Sequence, residues 1–501
     1  MEVIKKEELQ GILVRGYSHL PAASYLLLKI KSAKAARAWI SASLHEFTAG
    51  DNRGHESALN IAFTKEGLTT LGLGDDSMAT FPFEFQDGMD TPHKQSLLGD
   101  YGNSDPANWS WGGKSNQPIH VLLLLYATNN ATLARQYTAL RSQWTDDPFE
   151  EIAKLDTKEI TARKEHFGFH DGISQPAIKG LGREQEPAEN TVAAGEFILG
   201  YPNEYGQFTP SPTVSPASDR SNLLPPARAT AAPPPGAPSP PPTTSLKDLG
   251  HHGSYLVFRQ LEQDVRKFWD FMEDKTRNSD GSCNPGEMIA LASKIVGRWP
   301  SGTSLELSPE KDEPNKDNKN NFHYIPHDKE GLVCPFGAHV RRTNPRDSIN
   351  RGDSTSVEVS RKHRILRRGR SYGAPLAASM RPEDIIQCKD DGATRGLYFI
   401  CLNADLGRQF EFIQNFWINN PKFDGLYDER DPLTGNHSNP QENRQENPQE
   451  NRHTGTVGIP GDKLRQRFTD LPEFVTLKGG SYFFLPGMKA LQYIASLNQL
   501  A

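Results

Sequence analysis

Two stretches of the chain hold residue types that could do chemistry together. The first runs from Cys334 to Gly373 and reads CPFGAHVRRTNPRDSINRGDSTSVEVSRKHRILRRGRSYG. His339 sits there among small residues in FGAH, followed by a dense run of arginines through Arg368. Small neighbours let a flat ligand reach the backbone, and guanidinium groups suit carboxylates and bound oxyanions. A neutral imidazole is a common axial ligand of haem iron, and haem propionates need cationic partners. His339 and its arginines therefore form a candidate haem site. Alone, the pattern also fits a hydrogen-bonded histidine at a strand end beside a solvated basic face. A nucleic-acid patch is disfavoured, because no aromatic residue interleaves the run before Tyr372 and the chain carries a net charge of -6.

The second stretch, His166 to Gly180, reads HFGFHDGISQPAIKG. Asp171 lies between glycines and shortly before the Gln175-Pro176 breaker, so its carboxylate belongs on a tight loop. The plain alternative is an Asx-turn or a helix cap. Together the two stretches resemble the dye-decolourising peroxidases, whose GxxDG hallmark here reads Gly168-Phe169-His170-Asp171-Gly172. The resemblance runs from about residue 10 to the C-terminus, with two inserts interrupting it.

The resemblance implies two ferredoxin-like domains enclosing one haem b per chain, held mainly by the second domain. It implies a haem peroxidase that reduces H2O2 and oxidises dyes, phenols and other aromatic donors. Residue by residue, it implies His339 as the axial ligand, Asp171 as the acid-base residue on the peroxide side and Arg367 as its partner stabilising charge. A second carboxylate should orient the His339 ring. Asp424 in NPKFDG matches best, with Asp405 and Glu411 as alternatives and a turn aspartate as the plain reading of Asp424. Arg341 and Arg346 are the candidates for the propionates, preferred over Arg342 by alternation along the chain. His170 ranks below Asp171, because neighbours in an extended turn point apart. Phe336 and Leu366 are candidates for the pocket wall, though ordinary core is the commoner fate of such residues. Tyr372 and Trp417 are candidate electron-relay sites for bulky donors, with Trp109 and Trp111 behind them. An aspartate doing this work implies an acid activity optimum.

These residues need a scaffold, and the hydrophobic pattern supplies one twice. Ser24–Ile30 reads as a strand, Lys31–Leu44 as an amphipathic helix and ALNIAFT as a second strand. IHVLLLLYA, Ile119–Ala127, reads as a strand buried on both faces, with Asn129–Gln143 as its following helix. In the second half, Ser254–Leu261 with a helical Glu262–Lys275, then Gly396–Leu402 with a helical Gly407–Asn420, repeat the order. The fold class is therefore α+β, built from duplicated β-α-β units of the ferredoxin-like kind. With 501 residues the chain exceeds one usual core. The expected organisation is an N-terminal domain over 1–205 carrying the GxxDG motif, a Pro-rich insert over 206–250 and a C-terminal haem-binding domain over 251–501.

Thr209–Thr244, ending in RATAAPPPGAPSPPPTT, is expected to form a surface loop or polyproline-II linker. The polar segment Thr434–Thr456, with NPQENRQENPQENR, is expected to be an exposed or disordered loop without chemistry. Four scattered cysteines without CxxC spacing suit a reducing compartment rather than a disulfide scaffold or zinc site. MEVIKKEELQ has no apolar signal region and no stretch is long enough to span a membrane, so a cytoplasmic protein is expected. Three functions compete. The first is the peroxidase, and the second is a haem- or iron-handling protein with incidental peroxidase activity. The third is a divalent-metal site on His339, Asp171 and Asp424, which lacks a short-spaced ligand pair.

Overall fold

The computed structural model describes residues 3–160, 163–182, 187–228, 243–315, 320–437, 455–461 and 464–497. In the first half, β1 (Ala22–Ile30), β2 (Ser57–Phe63), β3 (Val121–Ala127) and β4 (Phe149–Asp156) form an antiparallel sheet in the order β2-β3-β1-β4. Helix α1 (Ala33–Ala42) follows β1 and α2 (Asn130–Ser142) follows β3. Each begins where a polar side chain accepts an otherwise orphaned amide: Ser32 from Ala35 N, and Asn129 from Thr132 N. This is the ferredoxin-like arrangement the duplicated pattern predicts.

The second half repeats it. β5 (Ser254–Gln263), β6 (Leu366–Arg367) continued by β7 (Arg370–Tyr372), β8 (Gly396–Asn403) and β9 (Val475–Leu485) stand in the equivalent order, β6/β7-β8-β5-β9. Helix α3 (Val265–Thr276) follows β5, capped by Asp264 on Lys267 N. The expected helix after β8 is present over Gly407–Glu411 and Ile413–Ile418, with π-type geometry. The two halves join where Phe484 of β9 pairs with Phe63 of β2.

The period of two along these strands explains why they are apolar throughout. Leu26, Leu28, Leu123 and Leu125 pack under the helices, while Tyr25, Leu27, Leu122, Leu124 and Tyr126 point the other way. There they meet Leu256, Phe258, Tyr398 and Phe483 of the second half in one shared core. Tyr25 touches both Phe258 and Tyr398, with ring centroids 5.6 and 5.8 Å apart.

The four-stranded unit of the first half closes at Asp156, and the GFHDG loop lies beyond it in the connection to β5. Likewise His339 lies in the long connection between β5 and β6. The flanks of the Pro-rich insert depart from the expected loop. Thr213–Val214, Pro226–Arg228 and Thr243–Asp248 form a three-stranded sheet, and Val214 and Leu224 are buried against the first-half core. Residues 229–242 and 438–454, the low-complexity parts of the two inserts, lie outside the described residues. Among the described residues no helix is long and apolar enough to cross a membrane.

Candidate active site

A cavity of about 280 Å³ opens on the helix-covered face of the second-half sheet. Asp171, Arg367 and His339 all line it, although 196 residues separate the first two in sequence. Asp171 arrives on a loop that begins at Glu165. The Glu165 carboxylate accepts from Phe167 N and Phe169 N, both at 2.9 Å, and from Gln263 Nε2 at 2.6 Å. Gly168 and Gly172 have φ of 99° and 82°, the left-handed region open to glycine, which lets the chain turn on either side of Asp171. Arg367 arrives on β6, where Leu366 pairs with Leu402 and Arg367 with Cys401. The alternation sends Leu366 into the shared core and Arg367 into the cavity, so Leu366 is core rather than pocket wall.

Arg367 Nη1 donates to Asp171 Oδ1 at 2.7 Å. Burial pushes the Asp171 carboxyl up, but the guanidinium outweighs it and holds the group below the usual carboxylate range. Gln175 Oε1 accepts from Arg367 N at 3.1 Å, so Gln175, in sequence only part of a Gln-Pro breaker, ties the Asp171 loop to β6. His170 also lines the cavity beside Asp171.

His339 opens a short helix, α4 (His339–Thr343), and its helical neighbours Val340 and Thr343 line the cavity with it. Its carboxylate partner is Asp431, not Asp424: His339 Nδ1 lies 2.9 Å from Asp431 Oδ2. Asp424 instead occupies a left-handed turn, φ 45°, off the cavity, which is the turn-aspartate reading. Asp405 binds Arg408 N, and Glu411 binds Lys94 and Tyr482, so neither reaches the histidine. Asp431 is fully buried; its Oδ1 accepts from Leu433 N and Thr434 N. Burial opposes its ionisation, but His339, Arg342 and the Thr434 amide outweigh that and hold the carboxyl at about 2. Reciprocally, burial would lower the imidazole, but Asp431 holds it above its ordinary value. The Asp-Pro-Leu-Thr run from Asp431 is an Asx-turn signal that could have marked it. With Nδ1 engaged, His339 Nε2 has no hydrogen bond among the described residues.

The expected arginines are elsewhere. Arg341 is fully buried away from the cavity, donating to Asp328 Oδ2 at 2.9 Å and to the Cys334 carbonyl at 2.6 Å, with Phe336 packed on its guanidinium. Arg346 holds the carbonyls of Asn320 and Phe322. Alternation misled because His339 starts a helix, where residue i+2 points nearly opposite. The arginines that line the cavity beside Arg367 are Arg259, Arg298 and Arg364, of which Arg364 comes from the arginine run after His339. Arg364 is 7% exposed and its Nη2 has no hydrogen-bond partner. Burial, with Arg346 and Arg367 adding repulsion, lowers it to about 9.

Thr434, Gly435 and Asn436 also line the cavity, so the start of the second insert belongs to the site rather than to a loop without chemistry. Tyr372 and Trp417 are buried, 7% and 6% exposed, so neither is a surface station. Trp109 and Trp111 are buried as well. No group of three or more His, Cys, Asp or Glu side chains among the described residues could hold a bare metal ion.

Comparison with known proteins places this geometry in a family. The model of the DyP dimeric alpha+beta barrel domain matches residues 23–159. The chain is 33% identical over 454 residues to the multifunctional dye peroxidase DyP2 of Amycolatopsis sp., covering 87% of this chain and 81% of the relative. It is 28% identical over 450 residues to a dye-decolorizing peroxidase of Exidia glandulosa, covering 87% and 75%. A solved dye-decolorizing peroxidase in complex with 2,6-dimethoxyphenol shares the fold, with a TM-score of 0.73 over 98% of this chain and 100% of that one at 24% identity. The chain belongs to the dye-decolourising peroxidase family and is a haem-dependent peroxidase.

Proposed function

We propose that the protein reduces H2O2 at a single haem b and oxidises dyes, phenols and other small aromatic donors, with Asp171, Arg367 and His339 in the roles their positions suggest. The supporting observation is the convergence on one cavity of a carboxylate–guanidinium pair and an imidazole whose far nitrogen is already held by a buried carboxylate. A haem fits the donors present. His339 offers an open Nε2 to iron, and Arg364 offers a buried guanidinium nitrogen without a partner to a propionate. That a solved relative carries 2,6-dimethoxyphenol supports phenols as one donor class.

When bound, the haem supplies the iron that receives peroxide and takes up oxidising equivalents. The chain's own residues do the proton work. Asp171 has Oδ1 occupied by Arg367, which leaves Oδ2 to take a proton from the inner peroxide oxygen and return it to the outer one. Arg367 keeps that carboxylate ionised in mildly acid solution, so the base remains available where donors are protonated, and its fixed charge faces the oxygen that becomes negative. Asp431 fixes the His339 tautomer with the proton on Nδ1 and the lone pair on Nε2.

The visible absorption spectrum of the haem-reconstituted protein, alone and after one equivalent of H2O2, tests this beside His339→Ala. A Soret band that shifts with peroxide, and is lost or altered in the variant, is expected. A Soret band indifferent to peroxide would transfer support to the haem-handling reading.

A further inference from the structure

A second carboxylate–guanidinium pair faces the cavity. Arg259, on β5, donates through Nη2 to Asp100 Oδ1, and both residues line the cavity with Asp171 and Arg367. They are 5% and 3% exposed. Asp100 comes from the first half, in the segment between β2 and β3, and that segment is fastened on both sides of it. Asn436 Nδ2 donates to the Gly99 carbonyl, and Ser104 Oγ accepts from Leu477 N of β9 at 3.0 Å. The pair is nevertheless incomplete. Asp100 Oδ2, Arg259 Nε and Arg259 Nη1 have no hydrogen-bond partner among the described residues, and burying such groups unpaired is costly. Burial holds the Asp100 carboxyl above its usual range even with the guanidinium beside it.

This pair is separate from the one assigned to peroxide. β8 lies between β6, which carries Arg367, and β5, which carries Arg259, so the two strands stand about 10 Å apart at about 4.8 Å per step. The surface beside Arg259 is apolar: Arg259 pairs in register with Phe399 of β8, Leu261 pairs with Leu397, and these three apolar side chains line the cavity. An aromatic ring lying on Phe399 and Leu397 therefore has a buried polar pair at its edge. What the pair lacks identifies the group it takes. One acceptor, Asp100 Oδ2, and two donors, Arg259 Nε and Nη1, are left over. A hydroxyl donates to the carboxylate and accepts from the guanidinium. A carboxylate brings acceptors only and is repelled by Asp100, an ammonium brings donors only, and an ether oxygen cannot donate.

We propose that Asp100 and Arg259 form a donor-orienting subsite of the cavity, which takes the hydroxyl of a phenol while its ring lies on Phe399 and Leu397. The inference rests on the peroxidase reading and deepens it, because it selects free phenols over their ethers among aromatic donors. Peroxide and donor then meet different ion pairs, and neither competes for the partner of the other. Water satisfies the same atoms as a hydroxyl and is the competing occupant.

Titration of the haem-loaded protein with 2,6-dimethoxyphenol and with its O-methylated analogue, followed by the difference spectrum at the Soret band, tests this. The analogue keeps the ring and loses the hydroxyl hydrogen. The wild type should bind the phenol about 10–100-fold more tightly, the range of a hydrogen bond to a charged group. Asp100→Asn, which keeps the shape and removes the charge, should lower that preference about tenfold. Arg259→Gln should lower it in the same direction. Circular dichroism and haem content show which variants are folded and loaded, and the wild-type comparison stands without them. Equal binding of phenol and analogue by the wild type would overturn the subsite and leave a water site only. A preference kept in full by both folded variants would also overturn it, since the hydroxyl would then be read elsewhere. Either result leaves the peroxidase reading intact where the wild-type Soret band shifts with H2O2; a band that ignores peroxide would overturn both.

Discussion

Replacing Arg367 with glutamine should move the acid limb of the peroxide reaction upward. The pair is close, Nη1 to Oδ1 at 2.7 Å, and glutamine removes the charge while retaining a donor. The strand should survive, because Arg367 N still donates to Gln175 Oε1 and β6 stays paired with β8. Charges about 4 Å apart at an effective dielectric of about 20 interact by about 4 kcal/mol. The two side chains keep 26% and 38% exposure toward the cavity, so screening leaves only a fraction of this, on the order of 1–2 kcal/mol of pair interaction lost in the variant. The direction follows from the base role. Arg367 lowers the Asp171 carboxyl in the native enzyme, so the ionised base survives to low pH and the rate falls only below that lowered value. Without the guanidinium, burial dominates, the carboxyl rises and the fall occurs at higher pH. Stopped-flow absorbance of the reaction with H2O2, recorded from acid to neutral pH, reads the shift directly. An acid limb that stays in place in Arg367→Gln, while Asp171→Asn abolishes the reaction, would refute the claim that Arg367 sets the ionisation of Asp171.

Asp431→Asn should weaken haem binding about 10–100-fold, since the His339 ring loses the carboxylate that orients it; haem titration followed at the Soret band measures this, with circular dichroism checking the fold. Lys94→Met should destabilise the protein by about 3–5 kcal/mol, because it strands the Glu411 carboxylate, 5% exposed and otherwise held among the described residues by Tyr482, in the core; urea unfolding at neutral pH reads it, and a loss under about 1 kcal/mol would be inconsistent with an intact buried pair. Burial raises the Glu165 carboxyl to about 7 despite three donors. A carboxyl raised on folding favours the native state fully below its unfolded pKa and loses that contribution as pH climbs toward 7, at most on the order of 3 kcal/mol. The melting temperature should accordingly decline over that window in the wild type and decline less in Glu165→Gln.

The Asp100–Arg259 pair joins the two halves at the cavity. The duplicated scaffold places the cavity-lining groups on one side of the second-half sheet, while the opposite side forms the core shared with the first half. The N-terminal unit meets that core through β1 and β3, which contribute Tyr25 and Tyr126. The Pro-rich insert serves packing as well as linkage, since its flanks pair as strands and bury Val214 and Leu224.

Asp171, Arg367 and His339 were singled out through the family resemblance carried by GFHDG and by the Cys334–Gly373 stretch, while local chemistry alone left Asp171 and His339 open to plainer readings. Glycines around Asp171 and small residues before His339 are requirements on the backbone, and such requirements must be written into neighbouring residues. The β-α-β order was legible twice for a similar reason: strands buried on both faces, such as Val121–Ala127, have to be apolar at every position. The identity of the His339 partner was not legible. Asp431 lies 92 residues away and reaches the ring only because the chain between β8 and β9 folds back beneath α4. Asp424, seven residues earlier, carries the same side chain in a turn that points elsewhere. Arg341 and Arg346 were misassigned because alternation does not hold after His339: the helix turns Arg341 into the protein, and Arg346, beyond the helix end in a left-handed turn with φ 56°, binds the carbonyls of Asn320 and Phe322. The Asp100–Arg259 pair was equally hidden, as its members stand 159 residues apart. Sequence by itself offered which groups could do the chemistry, through side chains, their neighbours and the family resemblance these carry. Tertiary structure alone decided which distant charge meets which, because a buried ion pair or ring contact depends on where the chain returns.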